Sequence, residues 1–250
     1  MSEFDARLST ALYHIAILGT VAYFVAVYVF GFRKEKLEAF ICYLLSGWVH
    51  RKFFHREKAI LFQQMQDIKQ KSKTELAILE IGVGSGMNFR FYPEGTRVTC
   101  LDPNPHHEAY LRKNLQKCDK NVKVVGFIQS FAENISAVES DTFDAVVCTL
   151  TLCTVRDPAK VLSEVRRVLK PGGTFFFLEH VAAQKGSFIR RVQNILQYMW
   201  PHLASGCNIN RETWSFLDQS EFSQVQYRHY SANTWLFFYL RPSMYGTAVK

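Results

Sequence analysis

From Leu76 onward the chain alternates short apolar runs with polar stretches of helical pattern, and that alternation admits few folds. "LAILEIG" (76–82), "RVTCLDP" (97–103), "VKVVGFIQS" (122–130), "FDAVVCTL" (143–150) and "TFFFLEH" (174–180) read as strands. "HHEAYLRKNLQKC" (106–118) and "DPAKVLSEVRRVLKPGG" (157–173) read as helices. In the second, Asp157 is placed to cap and Pro158 suits the first turn. Apolar residues recur at Val161, Leu162, Val165, Val168 and Leu169, and Gly172–Gly173 is expected to stop the helix. Apolar strands separated by helices call for a parallel sheet covered on both faces. The tail differs: 222–231 and 242–250 read as a final strand pair. The expected fold is an open α/β sandwich of Rossmann type.

In such a sheet the ligand sits at the carboxyl ends of the strands, near the point where strand order reverses. The stretch "AILEIGVGSGMNF" (77–89) breaks from strand into a loop with glycines at 82, 84 and 86, which permit a tight turn and close backbone approach. A dinucleotide fingerprint would place a third glycine where Met87 stands, and a Walker loop would need Lys-Ser/Thr after its last glycine. Glu80, two residues before Gly82, would repel a phosphate. It suits a ligand carrying positive charge.

The N-terminal stretch Leu8–Phe32 carries no Asp, Glu, Lys or Arg. As a helix it would extend roughly 37 Å, enough to span a bilayer or lie deep in one. It is too long for a signal peptide and lacks a basic start, so it reads as a membrane anchor. Basic residues crowd the next segment, from Arg33 to Lys73. A basic stripe after an apolar segment points to the anionic cytoplasmic leaflet, not to nucleic acid, and places the rest of the chain on the cytosolic side. Ala39–Phe54 is too short to span and suits an interfacial helix. The expected organisation is an anchor (1–36), basic interfacial helices (37–75) and a catalytic domain (76–250). Six cysteines show no C-x-x-C pair and no disulfide framework; Cys100 and Cys148 lie in apolar strands and should be buried and reduced. His106 and His107 are adjacent at a helix start, with no ligand spacing to other His or Cys, so no metal site is expected.

"LEIGVGSG" resembles the first motif of class I methyltransferases, which bind S-adenosylmethionine, and the family's other motifs follow in order. The resemblance places the carboxylate of Asp102 on the ribose hydroxyls and "SFAEN" (130–134), through Ala132 and Glu133, at the adenine. It matches "FDAVVCTLTL" to the fourth strand, with Thr149 beside the methionine part, and "LKPGGTFFFLEH" to the turn and fifth strand. Glu80 would order the glycine loop and face the methionine amino group, while Gly82, Gly84 and Gly86 admit the cofactor. Together these imply a Rossmann-like class I methyltransferase sandwich behind an N-terminal apolar membrane-anchor helix. "FRFYPEGTRVTCLDPNP", "VVCTLTLCTV", "EHVAA", "GCNINRETW" and "RPSMYGTAVK" are similar to the methyltransferase-like proteins of endoplasmic reticulum and lipid droplets, with Val83 where many relatives carry cysteine. That resemblance implies methylation of a small hydrophobic thiol at a membrane or lipid-droplet surface. His180, ending the fifth strand, would accept the thiol proton, and Cys153 would line the pocket. "SFIRRVQNILQYMW" (187–200) reads as an amphipathic helix over the acceptor, against the membrane or on the sheet, with "ASGCNINRETW" after it as a lid. A lipid or quinone methyltransferase, or an interaction protein with a vestigial core, are the competing readings.

Overall fold

Alternation of side chains along the central strands sets the layers. A computed structural model of the chain describes residue 25 and residues 34–71, 74–119, 121–234 and 237–250. Strands β1 (Ala77–Ile81), β2 (Arg97–Leu101), β3 (Lys123–Ile128), β4 (Phe143–Thr149), β5 (Leu169–His180), β6 (Gln224–Ser231) and β7 (Pro242–Val249) form one seven-stranded sheet. Its order is β3-β2-β1-β4-β5-β7-β6. The first five are parallel; β7 runs antiparallel to β5, and β6 to β7. This is the Rossmann-like sandwich with a C-terminal strand pair that the apolar runs predict.

Successive residues of a strand face opposite sides. Leu79, Ile81, Val146, Cys148, Phe175 and Phe177 pack on one face with Val161, Leu162, Val165 and Val168 of helix α4 (Pro158–Val168). Ile78, Val98, Cys100, Val147, Phe176 and Leu178 pack on the other. There they meet Leu61, Phe62 and Met65 of helix α2 (His55–Lys71) and Leu111 of helix α3 (His107–Leu115). Each side chain of this size contributes about 1.5–3 kcal/mol when fully buried.

Asp157 caps α4 as expected, its carboxylate accepting the N–H of Lys160, with Pro158 in the first turn. The helix ends earlier than its glycines predict, at Val168. Leu169 turns extended (φ −70°, ψ 139°) and pairs with Phe143, so "LKPGG" already belongs to β5. Burial of Leu169 draws it into the sheet, and Pro171 disfavours helical geometry at Lys170. Gly172 then takes φ +74° in a register shift between Phe143 and Ala145.

Apart from Val25, the apolar segment Leu8–Phe32 lies outside the described residues. Among the described residues no helix is long and apolar enough to cross a membrane. Ala39–Phe54 falls on helix α1 (Lys34–Val49) and a π-helical turn, His50–Phe54. α1 buries Ala39 and Ser46 and leaves Phe40, Leu44, Leu45 and Trp48 exposed.

The stretch expected as one helix over 187–200 is shorter. Helix α5 (Phe188–Leu196) is capped by Ser187, and helix α6 (Trp200–Leu203) follows a turn. α5 turns its polar Gln193 inward and its apolar stripe partly outward: Phe188 is 71% and Ile195 70% exposed. Gln193 donates to the carbonyls of Val181 and Tyr239 and accepts the N–H of Ala183, satisfying backbone that an apolar residue would leave unpaired.

Candidate active site

Connections leave β1 in one direction to β2 and β3 and in the other to β4 and β5, so strand order reverses at the carboxyl ends of β1 and β4. The glycine loop opens there. Gly82, Gly84 and Gly86 have φ of +66°, +50° and +74°. A Cβ at Gly82 would lie 2.1 Å from Thr151 Oγ1, and one at Gly86 2.5 Å from the Phe89 ring. The loop is therefore glycine by both conformation and space.

Behind it lies a buried polar network. Tyr92 donates its hydroxyl to Glu80 Oε2 at 2.6 Å; Asn88 Nδ2 donates to Glu80 Oε1 at 2.9 Å and Thr149 Oγ1 at 3.0 Å. Lys58 donates to Asn88 Oδ1 at 2.6 Å and lies 2.5 Å from His50 Nδ1. Burial pushes the Glu80 carboxyl up to about 7, although Tyr92, Asn88 and Lys58 all favour its charged form. Burial brings the Lys58 ammonium down to about 7, with Glu80 opposing. Glu80 thus orders the loop through Asn88 and Tyr92, and Asn88 ties β1 to Thr149, the last residue of β4. Lys58 and Asn88 escaped the sequence reading. The available signal was a single lysine at helical spacing with Leu61, Phe62 and Met65, where a solvated cation would not stand.

Asp102 immediately follows β2 and is buried. Its carboxylate accepts the N–H of Gly84 at 3.0 Å and of Asn104 at 2.9 Å, so it also shapes the glycine loop. Helix α1 lies across this corner: Ser46 and Ser85 hydroxyls are 2.7 Å apart, and Asn104 Nδ2 donates to the Glu35 carbonyl at 2.8 Å. His107 Nδ1, buried and without a hydrogen bond among the described residues, would stand 3.5 Å from a Cβ at Gly84. Three glycines free of side chains, a carboxylate whose two oxygens each accept a single N–H, and an imidazole nitrogen unpartnered among the described residues suit the hydroxyl-bearing adenosyl end of the cofactor. Ala132 is buried in the core. Glu133 Oε1 is engaged by the N–H groups of Arg156 (2.7 Å) and Asp157 (3.3 Å), so it braces the turn into α4. A cavity of about 580 Å³ between α1 and α3 touches Gly86 and Met87 but is not lined by Asp102, Thr149 or His180.

One strand further along, the turn after β4 meets the end of β5. Glu179, fully buried, accepts the N–H groups of Thr151 (2.9 Å), Leu152 (2.9 Å) and Cys153 (3.3 Å). Burial pushes its carboxyl up to about 7, against those three donors. The next residue, His180, is half-buried, and its Nε2 lies 2.8 Å from the Cys207 sulfur. Cys153 completes the group: one donor atom from each of Cys153, His180 and Cys207 lies within 4.8 Å of the others. The Cys153 thiol beside it, then His180, hold the Cys207 thiol well below the ordinary cysteine range. Burial opposes a charge on His180, but Cys207 offsets it and the imidazole is raised. Cys153, expected to line a pocket, stands beside the His180–Cys207 contact. These three residues come from separate segments, so no spacing along the chain connects them. Leu196, Trp200, Tyr239 and Leu240 wall the cluster with apolar surface. Cys100 and Cys148 are buried, and all six cysteines are free.

Comparison with known proteins agrees with this geometry. Residues 79–177 match the methyltransferase domain family. Thiol S-methyltransferase TMT1B of Rattus norvegicus is 40% identical over 210 residues, covering 83% of this chain and 85% of that protein. Thiol S-methyltransferase TMT1A of Homo sapiens is 41% identical and covers 78% of each. A SAM-dependent methyltransferase structure from Methanosarcina mazei superposes with a TM-score of 0.55 at 19% identity, covering 74% of this chain and 96% of that one. That likeness speaks to the fold alone. S-adenosylmethionine is the methyl donor, and the chain belongs to the thiol S-methyltransferase family of SAM-dependent methyltransferases.

Proposed function

We propose that this enzyme moves the methyl group of S-adenosylmethionine to the sulfur of a small hydrophobic thiol at a membrane or lipid-droplet surface. The observation that carries the reading is the reach of the likeness. It extends beyond the 79–177 core to 83% of the chain, in relatives named for thiol S-methylation.

The bound cofactor supplies an electrophilic methyl group on a sulfonium centre. The protein's part is to hold an acceptor behind that methyl and to exclude water. Glu80, through Asn88 and Tyr92, fixes the glycine loop, and Asp102 offers charge-assisted hydrogen bonds to ribose hydroxyls. Thr149 stands at the end of β4, where the methionine part would lie. A thiol needs little activation beyond loss of its proton, because its thiolate is already an effective nucleophile. His180 is bonded to Cys207, so an arriving thiol meets a formed sulfur–nitrogen cluster in an apolar wall. That setting favours acceptors that partition into lipid.

The apolar segment Leu8–Phe32 is the proposed anchor. On α1, exposed Phe40, Leu44, Leu45 and Trp48, followed by Arg51 and Lys52, support a second contact at the lipid interface. The endoplasmic reticulum and lipid droplets, with the catalytic domain in the cytosol, are the proposed location.

The test is transfer of label from methyl-labelled S-adenosylmethionine to a small alkyl thiol by detergent-solubilised protein, with Asp102→Ala as control. Methylated thiol that disappears in the variant supports the reading. Cofactor binding without transfer to any thiol overturns it and directs the search to lipid or quinone acceptors.

A further inference from the structure

We propose that Cys153, His180 and Cys207 form a zinc site whose fourth position receives the sulfur of the acceptor thiol. The inference rests on the thiol-methylation reading above and adds the means by which the thiol is captured.

Two sulfurs and one imidazole nitrogen form a donor set that favours zinc, and three protein ligands with an open position characterise catalytic rather than structural zinc. The donor atoms lie within 4.8 Å of one another. Tetrahedral zinc with ordinary bond lengths places such atoms about 3.5–3.8 Å apart. Closing the group around an ion therefore needs shifts of about 1 Å, including a slight opening of the 2.8 Å His180–Cys207 contact.

The surroundings hold the ligands in place. Glu179 binds the N–H of Cys153, and Asn208 donates to the Cys153 carbonyl from its backbone (2.8 Å) and its side chain (3.1 Å). Arg211 reaches across to the Val155 carbonyl at 2.7 Å, joining the segment that bears Cys207 to the loop that bears Cys153. Trp200, whose buried indole N–H has no hydrogen-bond partner among the described residues, packs against the cluster. Metal ligands are oriented by such partners. Both cysteines are buried while His180 is half-buried, so the group is closed by protein on its cysteine side and approachable past the imidazole.

On binding, the acceptor thiol gives its proton to solvent and its sulfur to the ion. That sulfur's electron pair then forms the bond to the methyl carbon as the carbon–sulfonium bond breaks. The bonding pair stays with S-adenosylhomocysteine. The zinc does not change oxidation state, and the product thioether, a neutral and weaker ligand, leaves.

The full chain in detergent, stripped with a chelator, would be titrated with Zn²⁺ against a chromophoric chelator and with Co²⁺ by visible absorption. We expect one metal per chain, thiolate-to-cobalt charge-transfer bands, and at least about 100-fold weaker binding in Cys207→Ser and in Cys153→Ser. Unchanged cofactor affinity in each variant would show it folded. A small alkyl thiol, added with S-adenosylhomocysteine to prevent turnover, should change the cobalt spectrum. Absence of stoichiometric metal, binding that survives Cys207→Ser, a Cys153–Cys207 disulfide in place of metal, or a spectrum indifferent to thiol would each overturn the proposal. Full-rate thiol methylation by metal-free enzyme would overturn it too and leave the functional reading standing. Metal binding with no methylation of any thiol would uphold the site and remove that reading.

Discussion

Lys58 Nζ lies 2.6 Å from Oδ1 of Asn88, thirty residues further along the chain, and Asn88 hands the contact on to Glu80. A helix that precedes the first strand thus reaches the carboxylate under the glycine loop. Removing Lys58 strips a buried acceptor, Asn88 Oδ1, of its donor and takes a positive charge from near Glu80, which costs more than the net worth of the contact. Lys58→Met should destabilise the protein by about 3 kcal/mol, and Lys58→Met/Glu80→Gln by less than the two single changes summed. Urea denaturation of the four proteins checks this.

The same pair carries a pH signature. Glu80 titrates near 7 when folded against an ordinary 4.5, so its contribution to stability falls as pH rises from 4.5 to 7. Lys58 titrates near 7 when folded against 10.5, so the unfolded chain binds more protons between those values and its contribution rises with pH from 7 to 10.5. The wild-type-minus-Glu80→Gln stability difference should therefore fall along the lower window, and the wild-type-minus-Lys58→Met difference should rise along the upper one. Denaturation midpoints across pH would reveal either slope; flat differences would contradict both.

Asp102 serves the loop and, on the proposed reading, the cofactor. Asp102→Ala should weaken cofactor binding roughly 10- to 100-fold, the worth of one or two charge-assisted hydrogen bonds. Asp102→Asn, which keeps one acceptor oxygen, should lose less. Calorimetric titration with S-adenosylhomocysteine measures both, and equal affinity in the alanine variant would remove Asp102 from the binding site.

Gly82→Ala meets two obstacles, a φ of +66° and Thr151 Oγ1 2.1 Å from the new methyl group. A loss of about 2 kcal/mol or more in stability is expected, with cofactor affinity falling alongside it. Gly95→Ala, at φ +74° with nothing within 4 Å, carries the conformational cost without the collision and should cost less. Thermal melts of the two variants separate these contributions.

Deleting residues 1–33 should release the protein from membranes in flotation assays while leaving cofactor binding intact, because α1 begins at Lys34. Retention on membranes would move the attachment to the exposed apolar face of α1.

Strands β1 to β5, the N-terminal cap of α4 and the glycine loop were legible in the sequence because each is governed by residues adjacent along the chain. Periodicity reports which face is apolar, and a positive φ demands glycine locally. Leu169 shows the limit: its helical spacing with Val165 favoured α4, and only pairing with Phe143 assigned it to β5. Gln193 shows another, since its inward turn answers backbone groups at Val181, Ala183 and Tyr239 that no local pattern reveals.

By itself, the sequence determined the sheet, the loop and the acids beside it, because short-range sterics and the burial of apolar side chains set them. Tertiary structure alone decided that Lys58 would meet Asn88, and through it Glu80, and that Cys153, His180 and Cys207 would converge. These contacts join segments tens of residues apart, and their energies depend on distance and on exclusion of water. Both arise only when the chain closes.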